Sequence, residues 1–346
     1  MKIVVDDKIP YIREALSVIT GDTVYINGSD ISSEDVKDAD ALIIRTRTRC
    51  DRHLLEGSKV RFIATATIGY DHIDTDYLDR AGITWTNCPG CNAGSVAQYV
   101  GASLILLRRE GIIGGNATIG IVGYGHVGSK VEALSRDMGF KTMVCDPPIE
   151  AGEADACIVP IPALHPLSSL AECCDVITFH VPLTRTGRYP TYHIADAAFF
   201  RSLMRRPVVI NTSRGGVVDE EALLQALDGG AISEAVIDTW EKEPDINRHL
   251  LNKVYIGTPH IAGYSADGKV NADNMVIDAL CRFFGVEKPP LILPPYIERR
   301  GCIPERGTDD YRLFMYNPVD DSRRLKASPS TFEQQRGNYP VRRETI

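Results

Sequence analysis

The chain has 346 residues and a formal net charge of -8 at pH 7. Nucleic acids and anionic membrane surfaces are bound by concentrated positive charge, so this acidic balance argues against both as partners. The composition, with 44% hydrophobic and 24% charged residues, is that of an ordinary globular protein, and the length favours two domains over one.

The sequence contains no segment that predicts export or membrane insertion. The start, "MKIVVDDKIP", is too charged for a signal peptide, and the longest strongly apolar stretch, "YVGASLILL", is about half as long as a membrane span. The nine cysteines form no disulfide framework and no metal-site spacing. Reduced thiols in the cytoplasm, and no bound metal, are therefore expected.

Short β-rich runs alternate with helical patterns from the first residue. The first series begins "KIVV", "IPYIREALSVI", "TVYI" and ends with "ITWTN"; after the long helix "NAGSVAQYVGASLILLRR", a second series runs from "ATIGIVG" to "VYIGTPH". Strands that are apolar throughout and separated by helices predict a parallel sheet covered on both faces. The fold class expected is α/β, with two doubly wound, Rossmann- or flavodoxin-like parallel-sheet domains.

The C-terminal part of the sequence predicts a different organisation. An amphipathic helix is expected from Ser265 to about Phe284, followed by "KPPLILPP", whose paired prolines favour an extended linker. Residues 286–346 are predicted to form a small separate module. Because so short a module buries little apolar surface, packing against a partner chain is expected.

The stretch "ATIGIVGYGHVGSKVEALSRDMG" places Gly123, Gly125 and Gly128 in G-x-G-x-x-G spacing between an apolar strand and a helix. The glycines permit a tight turn and a close approach to a pyrophosphate, whose charge the helix N-terminus stabilises. His126 and Val127, which lie between the last two glycines, are expected to contact the same ligand.

The glycine spacing is a weak signal by itself, because glycines are common at strand-helix turns. The next strand ends with "MVCDPP", however, and Asp146 lies 18 residues beyond Gly128, where an acidic residue that binds ribose hydroxyls is expected. A carboxylate there repels a 2′-phosphate, so the sequence predicts NAD rather than NADP as the cofactor.

Three chemically useful residues follow three predicted strands of the second series. Arg214 follows "PVVINTS", Glu243 follows "AVIDTW", and His260 follows "VYIG". Ligands of open α/β sheets bind beyond the carboxyl ends of the strands, so one crevice can receive all three. The set suits oxidation of a 2-hydroxy acid, since arginine can bind the carboxylate, histidine can take the hydroxyl proton, and glutamate can orient the imidazole.

Each of these residues also has an ordinary structural interpretation. Arg214 can pair with Asp219 at the next helix start, and Glu243 can be a simple loop charge beside Pro244. Glu241 competes with Glu243 for the role beside the histidine, and spacing alone does not choose between them. The coincidence of the set with the nucleotide motif favours the catalytic interpretation.

The stretch "ALIIRTRTRC" begins as a buried strand and continues with arginine at every second position. If the strand stays extended, Arg45, Arg47 and Arg49 share one face. A second cationic site is needed only if the substrate is charged at both ends. Arg45 is therefore predicted to contact an anionic group of the substrate, while Arg47 and Arg49 are read as solvated charges.

The motif "CPGC" offers a different chemistry. Cys88 and Cys91 form a C-x-x-C pair just before a helix, an arrangement that can lower the pKa of a thiol. A thiol oxidoreductase is thus a second class of function, although a structural turn is the simpler interpretation.

Together these residues resemble the D-2-hydroxyacid dehydrogenase superfamily over residues 1 to about 285. The resemblance rests on "ATATIGYDHID", "CPGCNAGSVAQYV", "CDPP", "IDTWEKEP" and "TPHIAGYSADGK". It implies that Arg214 binds substrate, that Glu243 rather than Glu241 supports the base, and that His260 is the acid/base. It also implies cofactor contacts at Asp146, Val181, Asp238 and Gly263, and substrate contacts at Thr46, Thr67 and Tyr264. Because Val181 stands where threonine is expected, only a main-chain contact is predicted there.

The same resemblance implies a domain organisation. A substrate-binding domain is expected over residues 1–92 with 264–285, an NAD-binding Rossmann domain over 93–263, and a C-terminal dimerisation module over 286–346. The chain would form a homodimer.

Within the superfamily, the residues most resemble the members that oxidise 4-phospho-D-erythronate to its 2-oxo acid with NAD, in the biosynthesis of pyridoxal phosphate. The main alternative is oxidation of 3-phosphoglycerate or of another D-2-hydroxy acid. A non-catalytic NAD-binding regulator stays open, because a fold does not settle a function.

Overall fold

The computed structural model of the chain describes residues 1–156, 160–298, 301–340 and 342–344. It divides into two compact units. Unit 1 comprises Met1–Asn92 with Ser265–Ile297, and unit 2 comprises Ala93–Tyr264 with Glu298–Ile346.

The strands, in chain order, are β1 (Ile3–Asp6), β2 (Thr23–Ile26), β3 (Ala41–Ile44), β4 (Phe62–Thr65), β5 (Thr84–Thr86), β6 (Thr118–Val122), β7 (Lys141–Cys145), β8 (Val176–Phe179), β9 (Val208–Asn211), β10 (Glu234–Ile237) and β11 (Ile256–Gly257). The α-helices are α1 (Ile12–Ile19), α2 (Ser33–Val36), α3 (Arg52–Leu55), α4 (Thr75–Ala81), α5 (Ala93–Arg109), α6 (His126–Asp137), α7 (Pro147–Glu150), α8 (Leu167–Cys173), α9 (Ala197–Arg201), α10 (Glu220–Asp228), α11 (Arg248–Lys253), α12 (Ala266–Phe284), α13 (Asp309–Met315), α14 (Val319–Ala327) and α15 (Phe332–Gly337).

Unit 1 is built on a five-stranded sheet in the order β2-β1-β3-β4-β5, in which all pairs are parallel. Successive residues of β3 point to opposite apolar clusters: Ala41 and Ile43 join one, and Leu42 and Ile44 join the other. Both faces of the sheet are therefore covered, which explains why its strands are apolar throughout. The order reverses between β1 and β3, and this is the point where open α/β sheets bind ligands.

Unit 2 is built on a six-stranded parallel sheet in the order β11-β10-β9-β8-β6-β7. In β9, Val208 and Ile210 belong to one apolar cluster and Val209 to the other, so this sheet is also covered on both faces. The order reverses between β6 and β8. The predicted fold class, two doubly wound parallel-sheet α/β domains, is confirmed.

The second long helix begins where the sequence predicts. The Ser265 hydroxyl caps α12 by accepting a hydrogen bond from the Gly268 N–H at 2.8 Å. The helix ends at Phe284, before Gly285, whose φ of 65° is left-handed and closes many helices. Its apolar face joins the core of unit 1 through Val276 and Leu280.

The C-terminal residues do not form the separate module that was predicted, but are divided between the two units. Residues up to Ile297 belong to unit 1, and the rest belongs to unit 2. Within unit 2, Leu325 and Phe332 are fully buried in an apolar cluster of the sheet, and the Gly257 N–H donates to the Ser322 hydroxyl at 3.0 Å. The physical reason is that the helices after residue 308 bury their few apolar side chains against an existing core instead of forming their own.

Among the described residues, no helix is both long enough and apolar enough to cross a membrane.

Candidate active site

The three predicted catalytic residues follow three neighbouring strands of unit 2. Arg214 follows β9, Glu243 follows β10 and His260 follows β11, and the sheet order places β9, β10 and β11 side by side. Parallel strands end at the same edge of the sheet, so the three segments share that edge. Tertiary pairing thus groups residues that lie up to 46 positions apart in the sequence.

The structure joins two of these residues directly. Nδ1 of His260 lies 2.8 Å from Oε2 and 3.0 Å from Oε1 of Glu243. An ionised carboxylate only accepts, so Nδ1 carries the proton and Nε2 of the neutral ring is left as an acceptor. This is the arrangement that general-base catalysis requires of a histidine.

Glu243 is held in an ionised state by its surroundings. Burial alone would raise the pKa of this carboxyl, but the hydrogen bond and charge of His260, the Trp240 N–H at 3.0 Å and the charge of Arg336 together hold the pKa below its ordinary value. Arg336 belongs to the C-terminal residues, for which the family resemblance implies only a role in dimerisation. No local sequence pattern indicates this contact, because 93 residues separate the two side chains.

The backbone around His260 is fixed by Asp238. His260 has a φ of 57°, a left-handed conformation that costs a non-glycine residue roughly 1–2 kcal/mol. The buried Asp238 carboxylate accepts hydrogen bonds from the Thr258 hydroxyl at 2.6 Å, the Ile261 N–H at 2.8 Å and the Ala262 N–H at 2.9 Å. The strained conformation is therefore maintained by a carboxylate at the end of the neighbouring strand β10.

Arg214 lies in a tight turn that abuts the segment carrying Glu243. A Cβ on Gly215 would lie 1.9 Å from the Trp240 carbonyl oxygen, so only glycine allows this approach. The Asn211 side chain braces the turn by donating from Nδ2 to the Arg214 carbonyl at 3.0 Å. The alternative role of Arg214, pairing with Asp219, is not seen: among the described residues, Arg214 forms no ion pair, and Asp219 instead caps α10.

The competing glutamate, Glu241, faces a different group of side chains. Its Oε1 lies 2.9 Å from Nε2 of His193, whose Nδ1 is 3.6 Å from Asp219. His193 thus contacts both carboxylates, and we assign no metal to the three side chains. The structure thus places Glu243, and not Glu241, beside His260.

The glycine-rich turn connects β6 with α6 at the point where the strand order reverses. A Cβ on Gly128 would lie 1.8 Å from the Gly123 carbonyl oxygen, so the turn closes only with glycine. A Cβ on Gly125 would meet nothing within 4 Å, which leaves open space beside the backbone. The first N–H groups of α6, including those of His126 and Val127, have no acceptor within the helix and are suited to bind a phosphate.

Asp146 ends β7 beside this turn. Its Oδ2 accepts a hydrogen bond from the Tyr124 N–H at 2.7 Å, and its Oδ1 accepts one from the Ile149 N–H at 3.1 Å. The carboxylate is half-buried and has further lone pairs for ribose hydroxyls. Its position therefore fits the role predicted from the sequence.

Buried polar atoms without partners also lie beyond the carboxyl ends of strands. His180 Nδ1 follows β8 and Thr212 Oγ1 follows β9, and neither has a hydrogen-bond partner among the described residues. Burial lowers the pKa of His180 to about 3, so its ring is neutral near pH 7. Buried polar atoms without partners are costly, which indicates that a ligand can complete this edge. Together with the open glycine turn, these atoms fit a dinucleotide.

The remaining predicted cofactor contacts differ in accessibility. The Val181 side chain lies against the glycine turn, with Cγ1 2.9 Å from where a Cβ of Gly123 would be. Gly263 is half-buried in the turn after His260, which the Tyr264 N–H closes by donating to the Ile261 carbonyl at 2.9 Å. Asp238 is only 1% exposed, and its carboxylate is used within unit 2.

In unit 1, Arg45 lies where the strand order reverses between β1 and β3. Its Nε and Nη2 donate to the two oxygens of Asp6 at 3.1 and 3.2 Å. Asp6 ends β1 and is completely buried, whereas the Arg45 side chain is one-third exposed at 33%. The guanidinium is therefore fixed in orientation by a carboxylate 39 residues earlier, which no local sequence pattern connects with it.

The arginine-rich stretch does not remain extended. Strand β3 ends at Ile44, and the Thr48 N–H donates to the Arg45 carbonyl at 3.4 Å, which forms a turn over the next residues. The expectation that Arg45, Arg47 and Arg49 share one strand face is therefore wrong. The reason is that the buried Thr48 hydroxyl donates to the Gly28 carbonyl at 2.7 Å and draws the chain back to the unit.

The two threonines predicted to contact substrate follow adjacent strands. Thr46 is exposed in the turn after β3. Thr67 follows β4, and its hydroxyl lies 2.7 Å from that of Thr65 and donates to the Gly69 carbonyl at 2.9 Å. In unit 2, the Tyr264 hydroxyl accepts a hydrogen bond from Arg336 Nε at 3.2 Å.

Unit 1 carries a second cation near Arg45. Lys269 lies in the first turns of α12 and is half-buried; burial, and next the charge of Arg45, lower its pKa. Burial raises the pKa of the adjacent Asp273 to about 7, so this carboxyl neutralises the two cations only partly near neutral pH. In the sequence, Lys269 appears only as part of "SADGK". It lies far from Arg45 along the chain, so the sequence does not indicate that the two charges interact.

The C-x-x-C cysteines do not resemble a redox pair. Cys88 and Cys91 are buried, and burial raises the pKa of the Cys88 thiol. The Cys88 sulfur lies 3.4 Å from the carbonyl oxygens of Thr65 and Ala272. An inaccessible thiol with a raised pKa is a poor nucleophile, so the structural interpretation is favoured.

Comparison with known proteins identifies the family. The model of the D-isomer specific 2-hydroxyacid dehydrogenase NAD-binding domain matches residues 109–262. An erythronate-4-phosphate dehydrogenase of Bacteroides thetaiotaomicron is 55% identical over 347 residues, covering 99% of this chain and 97% of that relative. This chain belongs to the D-2-hydroxyacid dehydrogenase family. An Escherichia coli relative, also named erythronate-4-phosphate dehydrogenase, is 37% identical. The match covers 99% of this chain and 92% of that relative.

Solved structures of the family have the same fold. The NAD⁺-bound 3-phosphoglycerate dehydrogenase of Entamoeba histolytica superimposes with a TM-score of 0.67 at 26% identity, covering 86% of this chain and 99% of that one. D-lactate dehydrogenase from Aquifex aeolicus, complexed with NAD and lactic acid, gives a TM-score of 0.64 at 23% identity, covering 82% and 96%. The prediction that this D-2-hydroxyacid dehydrogenase uses NAD is confirmed.

Proposed function

We propose that this chain catalyses the NAD-dependent oxidation of 4-phospho-D-erythronate to (R)-3-hydroxy-2-oxo-4-phosphooxybutanoate, a step toward pyridoxal phosphate. The observation that carries the proposal is the hydrogen-bonded pair of His260 and Glu243, with Arg214 at the end of the adjacent strand. The choice of substrate is supported by relatives of nearly equal length that are named erythronate-4-phosphate dehydrogenase.

The residues of unit 2 divide the chemistry among them. Arg214 binds the substrate carboxylate and polarises the reacting oxygen. His260 Nε2 accepts the proton of the 2-hydroxyl, and Glu243 stabilises the imidazolium that forms. NAD, when bound, supplies the acceptor for the hydride that leaves C2. The hydroxyl O–H and the C2–H bonds break, and a C2=O double bond remains.

The glycine turn and its neighbours hold the cofactor in this proposal. The N-terminus of α6 and the turn before it bind its phosphates through Gly123, Gly125, His126, Val127 and Gly128. Asp146 binds the ribose hydroxyls, and Val181 and Gly263 offer main-chain contacts. Asp238 supports the site from behind, because its carboxylate holds the loop of His260.

Unit 1 supplies the proposed phosphate recognition. Arg45, Thr46 and Thr67 follow the adjacent strands β3 and β4, and Lys269 adds a second positive charge near Arg45. A phosphate carries about two negative charges near neutral pH, which suits two cations of which one is fixed by Asp6. Replacement of Arg45 is a poor test of this role, because loss of the guanidinium would leave the buried Asp6 carboxylate unpaired.

A substrate comparison tests the proposal. We expect turnover with NAD for 4-phosphoerythronate, and Lys269→Gln to raise KM for this acid about 10- to 100-fold, the usual worth of a charged hydrogen bond. Unphosphorylated 2-hydroxy acids should be poor substrates whose kcat/KM changes little in the variant. The measurement is the nicotinamide absorbance under initial-rate conditions.

Lys59→Gln, at an exposed ion pair of unit 1, is the matched control and should leave both substrates unaffected. Equal loss with phosphorylated and unphosphorylated acids would remove Lys269 from phosphate recognition. Faster turnover of 3-phosphoglycerate would favour the alternative substrate, and absence of any substrate-dependent absorbance change would favour a non-catalytic NAD-binding regulator.

We further propose a homodimer assembled through the extended segment after α12. Leu291, Leu293 and Tyr296 in this segment are 63%, 77% and 88% exposed. Several large apolar side chains exposed within one short segment are typical of protein interfaces. A cytoplasmic location fits the cysteines, none of which forms a disulfide among the described residues.

The dimer is tested by charge at this segment. The double variant Leu293→Asp and Tyr296→Ser should sediment as a monomer at micromolar concentration, because a buried unpaired carboxylate opposes association. Met204→Gln, at a 75% exposed position of unit 2, should leave the sedimentation coefficient unchanged. A double variant that sediments like the original protein would argue against this interface.

A further inference from the structure

The C-terminal helix α15 places a guanidinium behind the proposed catalytic pair. Arg336 Nη1 lies 3.6 Å from Oε2 of Glu243, the oxygen that is 2.8 Å from His260 Nδ1. Arg336 Nε donates to the Tyr264 hydroxyl at 3.2 Å. The side chains of Arg336 and Glu243 are only 24% and 17% exposed, so water screens their interaction weakly.

Glu243 therefore lies between two groups that bear or acquire positive charge. Burial lowers the pKa of Arg336, but Tyr264, Glu243 and Glu333 together raise it by more, and its net pKa is raised. Arg336 thus remains a cation throughout the pH range of the reaction. Its charge is also one of the influences that lower the pKa of Glu243.

The position of Arg336 is determined by the packing of the tail. Phe332, one turn earlier in α15, is 1% exposed in the apolar cluster of the sheet. Further along, Arg342 is buried and donates to the carbonyls of Ile261 at 3.2 Å and Ala262 at 2.7 Å, the residues that follow His260. The tail therefore contacts Glu243 directly and the backbone of the two residues that follow His260.

We propose that Arg336 is a positioning residue, whose guanidinium pairs with the Glu243 carboxylate and keeps it directed at His260 Nδ1. The inference rests on the proposed function, because the pair matters only if His260 transfers a proton. Arg336 acts through Glu243 and is given no contact with substrate. The C-terminal residues thus belong to the active site as well as to any dimer interface.

Other ionisable groups surround the three residues and are the same in every variant considered. Tyr264 and Glu333 face Arg336, with Glu333 3.8 Å from Nη1. Glu220 interacts with Glu243, and Asp238 interacts with His260. Because none of these groups changes, a difference between variants reports the guanidinium itself.

The test is Arg336→Gln, with Arg336→Lys as the rescue. We expect Arg336→Gln to lower kcat about tenfold or more and to leave KM for NAD within about twofold. The acid limb of the kcat/KM profile reports protonation of the coupled His260-Glu243 pair, and loss of a nearby positive charge favours that protonation, so the limb should move to higher pH by about half a unit. Arg336→Lys keeps the charge and should restore most of kcat and the original limb.

Arg323→Gln, at an exposed ion pair of the same tail, is the control and should match the original protein. A purely structural role would lower activity together with thermal stability and leave the acid limb in place, with no rescue by lysine. That result, or an Arg336→Gln variant with unchanged kcat and pH profile, overturns the inference.

A carboxyl titration separates this inference from the proposed function. The pKa of Glu243, followed by ¹³C NMR and assigned with Glu243→Gln, should rise in Arg336→Gln whatever substrate the enzyme uses. If the original protein fails to oxidise 4-phosphoerythronate, the proposed function is wrong and this titration still decides the role of Arg336. An unchanged pKa of Glu243 overturns it.

Discussion

We expect His260→Ala to lower kcat for the 2-hydroxy acid by about 10²- to 10⁴-fold, the range that general acid-base catalysis contributes. The variant loses the only group in the proposed mechanism that accepts the hydroxyl proton. Binding of NADH should change by less than about twofold, because the glycine turn and Asp146 lie on other strands of unit 2. Initial rates and NADH fluorescence titration measure the two quantities.

His249→Ala is the matched control, because His249 is exposed on α11 and its recorded hydrogen bond is made by its backbone N–H. It should turn over like the original protein. Near-normal turnover in His260→Ala would show that another group takes the proton. Loss of NADH binding together with turnover would instead place His260 at the cofactor.

The second large effect is expected from Asp238→Asn. The carboxylate accepts three hydrogen bonds in a buried site, and an amide replaces one acceptor by an N–H donor that faces another donor. We expect the free energy of unfolding of unit 2 to fall by about 2–4 kcal/mol. The left-handed conformation of His260 loses its support, so kcat should fall as well.

Urea titration followed by circular dichroism measures the stability, and Asp196→Asn is the control. Asp196 caps the short helix α9 with a single hydrogen bond at an exposed position, and its replacement should cost about 1 kcal/mol or less. An Asp238→Asn variant of unchanged stability but much weaker NADH affinity would favour the direct cofactor contact that the family resemblance implies.

Much of this site could be predicted because its signals are local. The spacing of Gly123, Gly125 and Gly128 reflects the tight closure of one turn, and the position of Asp146 reflects the length of one strand-helix-strand unit. Arg214, Glu243 and His260 each follow an apolar strand, so sheet topology alone brings their segments to one edge. The family resemblance then favoured Glu243 over Glu241, and the structure places Glu243 beside His260.

Relations between distant residues were not predicted. The sequence places Arg45 at the end of a strand, but not against Asp6, which lies 39 residues earlier. It predicts that the C-terminal residues form a module too small for its own core. It does not predict that α15 packs on unit 2 and brings Arg336 to Glu243. Lys269 likewise acquires meaning only from its nearness to Arg45.

The sequence by itself determined the α/β class, the nucleotide turn and the chemical identity of the catalytic residues, because strand periodicity and turn geometry depend on near neighbours. Tertiary structure decided which charges face each other. Burial and Coulomb interactions depend on distance in space, and Arg45 with Asp6, or Arg336 with Glu243, become partners only when the chain is folded.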